Sequence, residues 1–133
     1  MKNVILLSFA LILIMSHVSS NGQTAVKGTQ GLKTAKIEAY YFHNASRCVT
    51  CKAVEAEAKA DLENLYGGQV VFKAINLEDE ANKTIVDKLE ISGQTLLIVK
   101  GEKKINLTNE GFLYARTNPA KFKSIIKEKV DKL

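Results

Sequence analysis

Residues 37–52 read IEAYYFHNASRCVTCK, and the character of the whole domain follows from this segment. Its opening part, Ile37 to His43, is rich in β-forming side chains and predicts a buried strand. Residues 44–47 form a polar loop, and a helix is predicted to begin near the cysteines. Cys48 and Cys51 therefore lie where a strand gives way to a helix, which places their sulfurs one helical turn apart.

The cysteine pair is suited to redox chemistry. At the start of a helix, unpaired backbone N–H groups and the positive end of the helix dipole stabilise a thiolate, and Arg47 and Lys52 add positive charge. We therefore expect the pKa of the Cys48 thiol to lie below the ordinary value of about 8.5. Cys48 is the predicted nucleophile, and Cys51, one turn further in, is predicted to be more buried and to resolve a mixed disulfide. A disulfide across so short a loop would remove little unfolded-state entropy, which argues against a purely structural bridge.

Other interpretations of the cysteines stay open at this point. Zinc takes at least three protein ligands, and after residue 20 the chain adds only His43 to the two thiolates. Copper(I) could bind two thiolates alone, and the cysteines could also be inert helix residues. His43 is either a structural residue at the end of its strand or a proton donor beside the cysteines. We predict no resident metal and no cofactor, with a metal-binding module as the alternative function.

Downstream of the cysteines, the sequence predicts alternating helices and strands. The first helix ends near Tyr66, because Gly67 and Gly68 follow it. The other predicted elements are a strand over 70–77, a helix from the acidic residues 78–80 to about 89, an antiparallel hairpin of strands 95–100 and 103–107, and a helix that begins at 118–119. The order β-α-β-α-β-β-α opens with a parallel crossover and predicts an α/β fold, with a mixed four-stranded sheet flanked by helices.

The first 35 residues are predicted to lie outside this domain. Lys2, the apolar run from Val4 to Met15 and the small residues before Asn21 form the pattern of a secretory signal over residues 1–20. The apolar run is shorter than the about 20 residues that a membrane span needs, so we expect cleavage and no stable membrane insertion. Residues 21–35 show no hydrophobic period and are predicted to be a flexible leader, and the domain covers residues 36–133.

Charge and composition limit the partners that the mature chain can take. The net charge of +5 falls to +4 when Lys2 is removed, and the charges are interspersed along the chain. A nucleic-acid-binding domain would need a basic patch with aromatic stacking residues, so we predict no nucleic-acid partner. We expect an exported monomer, periplasmic in a bacterium or secreted. Sequons at Asn44, Asn82 and Asn106 favour a bacterial source, where such sequons are usually silent.

From Ile37 to about Lys132, the chain resembles the thioredoxin fold family. The resemblance rests on Cys48-Val49-Thr50-Cys51-Lys52 after a strand, and on Gly93-Gln94-Thr95-Leu96-Leu97-Ile98-Val99, which is similar to the segment that crosses in front of the family's disulfide. It implies an attacking role for Cys48, a resolving role for Cys51, and partners that are protein thiols or disulfides. It also implies that Gln94 and Thr95 lie beside the sulfurs.

The chain departs from the family pattern at two positions. Gln94 stands where the family has a cis-proline, and a non-proline cis bond costs about 2.5–4 kcal/mol, so we expect a trans bond or an altered loop. The family's buried aspartate has no counterpart in Tyr40-Tyr41-Phe42. Lys52 or His43 would then have to serve the proton step at Cys51.

A narrower resemblance is to small exported thioredoxin-like proteins of Bacteroides-type bacteria that are labelled as a nitrophenyl-compound nitroreductase subunit, the ArsF family. It rests on residues 41–43, 47–51, 92–97 and 107–110. This resemblance implies a partner reductase with which the domain exchanges electrons, or a non-catalytic subunit of such a complex. The segment 109–116 is predicted to connect the hairpin to the last helix, with Phe112, Leu113 and Tyr114 either packing or forming a partner-binding surface.

Overall fold

The computed structural model of the protein describes residues 36–133, so the predicted secretory signal and leader lie outside the described residues. The strands are β1 (Ile37–His43), β2 (Val70–Asn76), β3 (Thr95–Lys100) and β4 (Lys103–Asn106). The helices are α1 (Val49–Tyr66), α2 (Lys83–Leu89), α3 (Thr108–Tyr114) and α4 (Pro119–Val130). None of these helices combines the length and the apolar character that would let it cross a membrane.

The strands form a mixed sheet in the order β2-β1-β3-β4. β1 runs parallel to β2, with Ile37 opposite Val70, and antiparallel to β3, with Phe42 opposite Thr95. β4 returns antiparallel beside β3. Parallel neighbours need a long crossover, which α1 supplies between β1 and β2. The predicted α/β class and the mixed four-stranded sheet flanked by helices are therefore confirmed.

Both faces of the sheet are covered, which explains why β1 is apolar almost throughout. Its successive side chains point to opposite faces, with Ala39 and Tyr41 in one core and Tyr40 and Phe42 in the other. The first core lies under α1 and α4 and includes Val54, Ala58, Leu62, Leu96, Ile98, Phe122, Ile126 and Val130. The second core, under α2, includes Leu97, Val99, Ile85, Val86 and Leu89.

The ends of the helices follow their sequence signals closely. The Asn118 side chain accepts a hydrogen bond from the backbone N–H of Lys121 at 3.1 Å, and Pro119 occupies the first turn of α4. Gly67, with φ +53°, follows the last residue of α1.

The predicted helix over 78–89 is divided, because a 3₁₀ turn at Glu80–Asn82 precedes α2.

The segment after the hairpin differs from the prediction. We expected a connection over 109–116, and the structure has the helix α3 there. Tyr114 packs against the first core, whereas Leu113 is 60% exposed. α3 also packs against α1, where Gly111 is buried against Val54. Tyr114 and Gly111 are therefore packing residues, whereas Leu113 is not.

Candidate redox site

Cys48 and Cys51 form a disulfide at the start of α1, with their Cα atoms 5.0 Å apart. Cys48 is the N-cap residue, and its Sγ accepts a hydrogen bond from the backbone N–H of Cys51 at 3.0 Å. Cys48 is exposed, whereas Cys51 is only 6% exposed. The sulfur that a partner can reach is thus the one that the start of the helix can stabilise as a thiolate.

The positive charge of Arg47 is shared with a carboxylate of α1. The Arg47 guanidinium forms an ion pair with Glu55, and each of the two side chains is 23% exposed. Glu55 lies four residues after Cys51 and so on the same side of α1. The ion pair offsets part of the field that Arg47 exerts on Cys48. The second predicted positive charge, Lys52, directly follows Cys51 in α1, and its side chain is exposed.

Gln94 and Tyr41 approach the disulfide from the sheet. The Gln94 Oε1 atom lies 3.7 Å from Cys51 Sγ, and its Nε2 donates a hydrogen bond to the Tyr41 hydroxyl at 2.7 Å. Tyr41 is completely buried. Burial raises its pKa, opposed by the hydrogen bond from Gln94 and by the charge of Arg47. At neutral pH, Tyr41 is therefore a neutral phenol and not a base for the cysteines.

The loop that carries Gln94 is fixed by its neighbours. The Thr95 hydroxyl donates to the Gly93 carbonyl at 2.9 Å, and Thr95 itself pairs with Phe42 across the sheet. No peptide bond within residues 36–133 is cis, so the bond before Gln94 is trans, as one of our two expectations had it. Gln94 thus reaches the sulfur with its side chain.

His43 lies at the end of β1 with a partner of its own. Its Nδ1 is 2.9 Å from the carbonyl oxygen of Asn44, and its ring lies 6.1 Å from the ring of Tyr41. Its backbone carbonyl accepts from Leu77 at the end of the neighbouring strand. These contacts fit the structural role that we considered for it, and its role as a proton donor stays a prediction.

No acidic side chain among the described residues takes the place of the family's buried aspartate. Glu38 pairs with Lys73 at 3.4 Å. The buried carboxylate that the structure does contain is Asp61, which is 7% exposed. Asp61 lies ten positions after Cys51 in α1, about 15 Å along the helix axis, and so cannot exchange a proton with the cysteines directly.

The residues near the disulfide provide too few ligands for a metal ion that needs three or more protein side chains. Within the described part of the chain, no group of three or more His, Cys, Asp or Glu side chains could hold a metal together. A zinc site of the usual kind would need such a group. Copper(I) on the two reduced sulfurs is the metal chemistry that these residues could support.

Exposed apolar side chains lie at the disulfide itself and on a helix that packs against the first half of α1. Val49, between the cysteines, is 69% exposed. The Thr108 hydroxyl at the start of α3 accepts from the backbone N–H of Leu96, two residues beyond Gln94, at 2.9 Å. Since Gly111 of α3 also contacts α1 one turn beyond Cys51, this helix lies beside the disulfide end of the sheet. It carries the exposed Phe112 and Leu113.

Comparisons with known proteins give structural likeness only. No protein-family model matches the chain, and no curated protein matches it. Among solved structures, a malarial protein matches with 18% identity and a TM-score of 0.41, over 52% of this chain and 74% of its own. Trxlp from Edwardsiella tarda EIB202 matches with 15% identity and a TM-score of 0.49, over 70% of this chain and 82% of its own.

Proposed function

We propose that this domain is an exported thiol–disulfide oxidoreductase or electron-transfer protein that works through the Cys48–Cys51 pair. The observation that carries the proposal is the asymmetry of the pair. One sulfur is exposed at the start of a helix and the other is buried one turn further in. An attacking thiolate must be reachable, and a resolving thiol must be close to it and shielded from other partners.

The reaction balances with the two cysteines and a partner disulfide. The Cys48 thiolate attacks one sulfur of the partner, which forms a mixed disulfide and releases the partner's other sulfur as a thiolate. Cys51 loses its proton and attacks Cys48 Sγ, which forms the Cys48–Cys51 bond and releases the second partner thiolate. Two electrons pass to the partner, whose thiolates take up protons from water. The reverse sequence oxidises a dithiol partner, and the reduction potential decides the direction.

Export is part of this proposal and is supported by sequence alone. Residues 1–20 have the pattern of a secretory signal, and a redox-active disulfide fits the oxidising compartments outside the cytoplasm. We propose a periplasmic or secreted location for the mature domain. N-terminal sequencing of the protein from the extracytoplasmic fraction tests it: a start near Asn21 would support cleavage, and a start at Met1 would contradict it.

We propose a protein partner, in line with the resemblance to nitrophenyl-compound nitroreductase subunits. The exposed Val49 beside Cys48, and the exposed Phe112 and Leu113 on the helix that packs against α1, support this, because exposed apolar side chains suit contact with another protein. In this proposal a partner reductase exchanges electrons with the disulfide, and the domain itself carries no organic cofactor.

Redox titration of the purified domain in glutathione buffers tests the main proposal. We expect a reversible two-electron couple, lost in both Cys48→Ser and Cys51→Ser. Mass spectrometry of the reduced protein under native conditions, with and without added copper(I), tests the alternative. Absence of a reversible couple would overturn the redox proposal. One tightly held copper(I) per chain that blocks thiol titration would favour a metal-binding module instead.

A further inference from the structure

The buried sulfur of the pair faces an oriented amide. Gln94 Oε1 lies 3.7 Å from Cys51 Sγ, while Gln94 Nε2 donates to the Tyr41 hydroxyl at 2.7 Å. The amide is anchored at Tyr41, which is fully buried in β1, an inner strand of the sheet. In this arrangement the N–H₂ group is used by Tyr41, and the oxygen points at the sulfur.

We propose that Gln94, held by Tyr41, is a positioning residue that keeps Cys51 protonated while Cys48 attacks, and that it thereby sets the pH at which a bound partner is released. The inference rests on the proposed redox function. A carbonyl oxygen can accept a hydrogen bond from the thiol of Cys51, and it faces a thiolate with the negative end of its dipole. The amide therefore favours the thiol.

This arrangement separates the two sulfurs chemically. Cys48 has a backbone N–H group directed at it, which favours its thiolate. Cys51 has an acceptor directed at it, which favours its protonated form. Cys48 therefore attacks first, and release waits until Cys51 gives its proton to solvent. Among the described residues, the charged groups beside Cys51 on its own side of α1 are Glu55 and Arg47, which pair with each other. No hydrogen bond joins Glu55 to Cys51, whose sulfur faces Gln94 instead, so the release step follows the pH of the medium.

The test is the pH midpoint at which Cys51 becomes a thiolate, followed by ultraviolet absorbance in a Cys48→Ser background. Serine keeps a side-chain oxygen at the N-cap position, so the helix start is preserved. In that background we expect Gln94→Glu to raise the midpoint by about one pH unit or more, because a carboxylate only accepts and adds negative charge. We expect Gln94→Met to lower it, because the acceptor is lost while the bulk is kept.

Tyr41→Phe tests whether the hydrogen bond to Tyr41 orients the Gln94 amide. Without the hydroxyl, the amide is free to turn its N–H₂ group to the sulfur, and the midpoint falls. In Gln94→Met, adding Tyr41→Phe changes nothing further, because Tyr41 acts only through the amide. Gln69→Glu is the matched control, since it makes the same change at an exposed residue beyond the far end of α1 and leaves the midpoint in place.

The outcomes separate this inference from the proposed function. In the full chain with both cysteines, reaction with an aromatic disulfide that yields a coloured thiolate shows two phases, attack and release. Absence of the second phase would contradict the redox function itself. A normal second phase, with a Cys51 midpoint that does not move with residue 94 or moves in the same direction in Gln94→Glu and Gln94→Met, overturns the role of Gln94 alone. Circular dichroism of each variant confirms that the fold is intact.

Discussion

The two ends of α1 use polar side chains for opposite purposes. At the first turn, a sulfur caps the helix and is exposed, and the opposing contact comes from the loop before β3 through Gln94. At the last turns, polar side chains tie the helix to α4. The contacts there are Lys123 with Asn64 at 2.7 Å, Lys123 with Asp61 at 3.9 Å, and the Tyr66 hydroxyl with Asp131 at 2.8 Å.

This difference shows how a helix can carry changing chemistry without unfolding. The far half of α1 is fixed by Ala58 and Leu62 in the core and by the contacts to α4. The first turn can then open and close its disulfide, while the rest of the helix keeps its place. We therefore expect mutations at the reactive end to change the chemistry of the cysteines, and mutations at the anchored end to change stability, independently of each other.

The largest effect is expected from the cysteines at the reactive end. Cys51→Ser leaves the attacking sulfur and removes the resolving one, so the protein accumulates a stable mixed disulfide with its partner. Cys48→Ser leaves only the buried sulfur and traps the same partner at least about tenfold more slowly, because an accessible thiolate is the nucleophile. Non-reducing electrophoresis with a model disulfide measures both. Equal trapping by the two variants would contradict the assigned roles.

The next effect tests how α3 is packed against the first half of α1. A Cβ added at Gly111 would lie 2.8 Å from Val54 Cγ1, so in Gly111→Ala either the Val54 side chain or the helix α3 must shift. We expect a loss of about 1–3 kcal/mol in the free energy of unfolding, measured with urea. The control is Gly68→Ala beyond the far end of α1, where a Cβ meets nothing within 4 Å. Equal stability of the two variants would show that α3 moves without cost.

Much of the fold could be predicted because its signals are local. The run of β-forming side chains in β1, the Gly67-Gly68 stop and the Asn118-Pro119 start each act within a few residues. The strand, the helix end and the helix start are found where they were predicted. α3 could not be predicted in this way. Its helix contains a glycine, and two of its apolar side chains face solvent. Its position depends on the contact between Gly111 and Val54, which are far apart in sequence.

Part of the candidate site could likewise be predicted from local sequence signals, and part of it could not. The cysteine pair and its asymmetric burial follow from three-residue spacing at a strand-to-helix junction. Gln94 was brought to the site by resemblance, but its partner Tyr41 was assigned only to a buried strand. The bond between them joins residues 53 positions apart and depends on the register of β1 with β3. Likewise, the pairing of Arg47 with Glu55 depends on how the loop before α1 turns back along the helix.

A smaller and pH-dependent effect is expected at the anchored end. Burial raises the pKa of Asp61, and Lys123 opposes this shift. The unfolded chain therefore releases this proton at lower pH than the folded one. The stabilising contribution is complete below the ordinary Asp pKa of 3.8 and is lost as the pH rises through the folded value.

Asp61→Asn removes this dependence. We expect the variant to gain free energy of unfolding over the parent at pH 7, and the gain to shrink as the pH falls towards the ordinary Asp value. Urea unfolding across that range measures it. Glu63→Gln, an exposed acid on the same helix, serves as the control and should follow the parent. A variant that is less stable than the parent at pH 7 would show that the contact with Lys123 outweighs the cost of burial.

The smallest effect is expected from the ion pair beside the reactive end. Glu55 neutralises part of the charge of Arg47, so Glu55→Gln leaves more of that charge to stabilise the Cys48 thiolate. Ion pairs of this kind are worth less than about 1 kcal/mol, so we expect alkylation of the reduced protein at neutral pH to quicken by about two- to threefold. Arg47→Gln should slow it by a similar factor, and Glu63→Gln should leave it unchanged. Alkylation that slows in Glu55→Gln would mean that the carboxylate helps by holding Arg47 in place, and not that it competes with the thiolate for its charge.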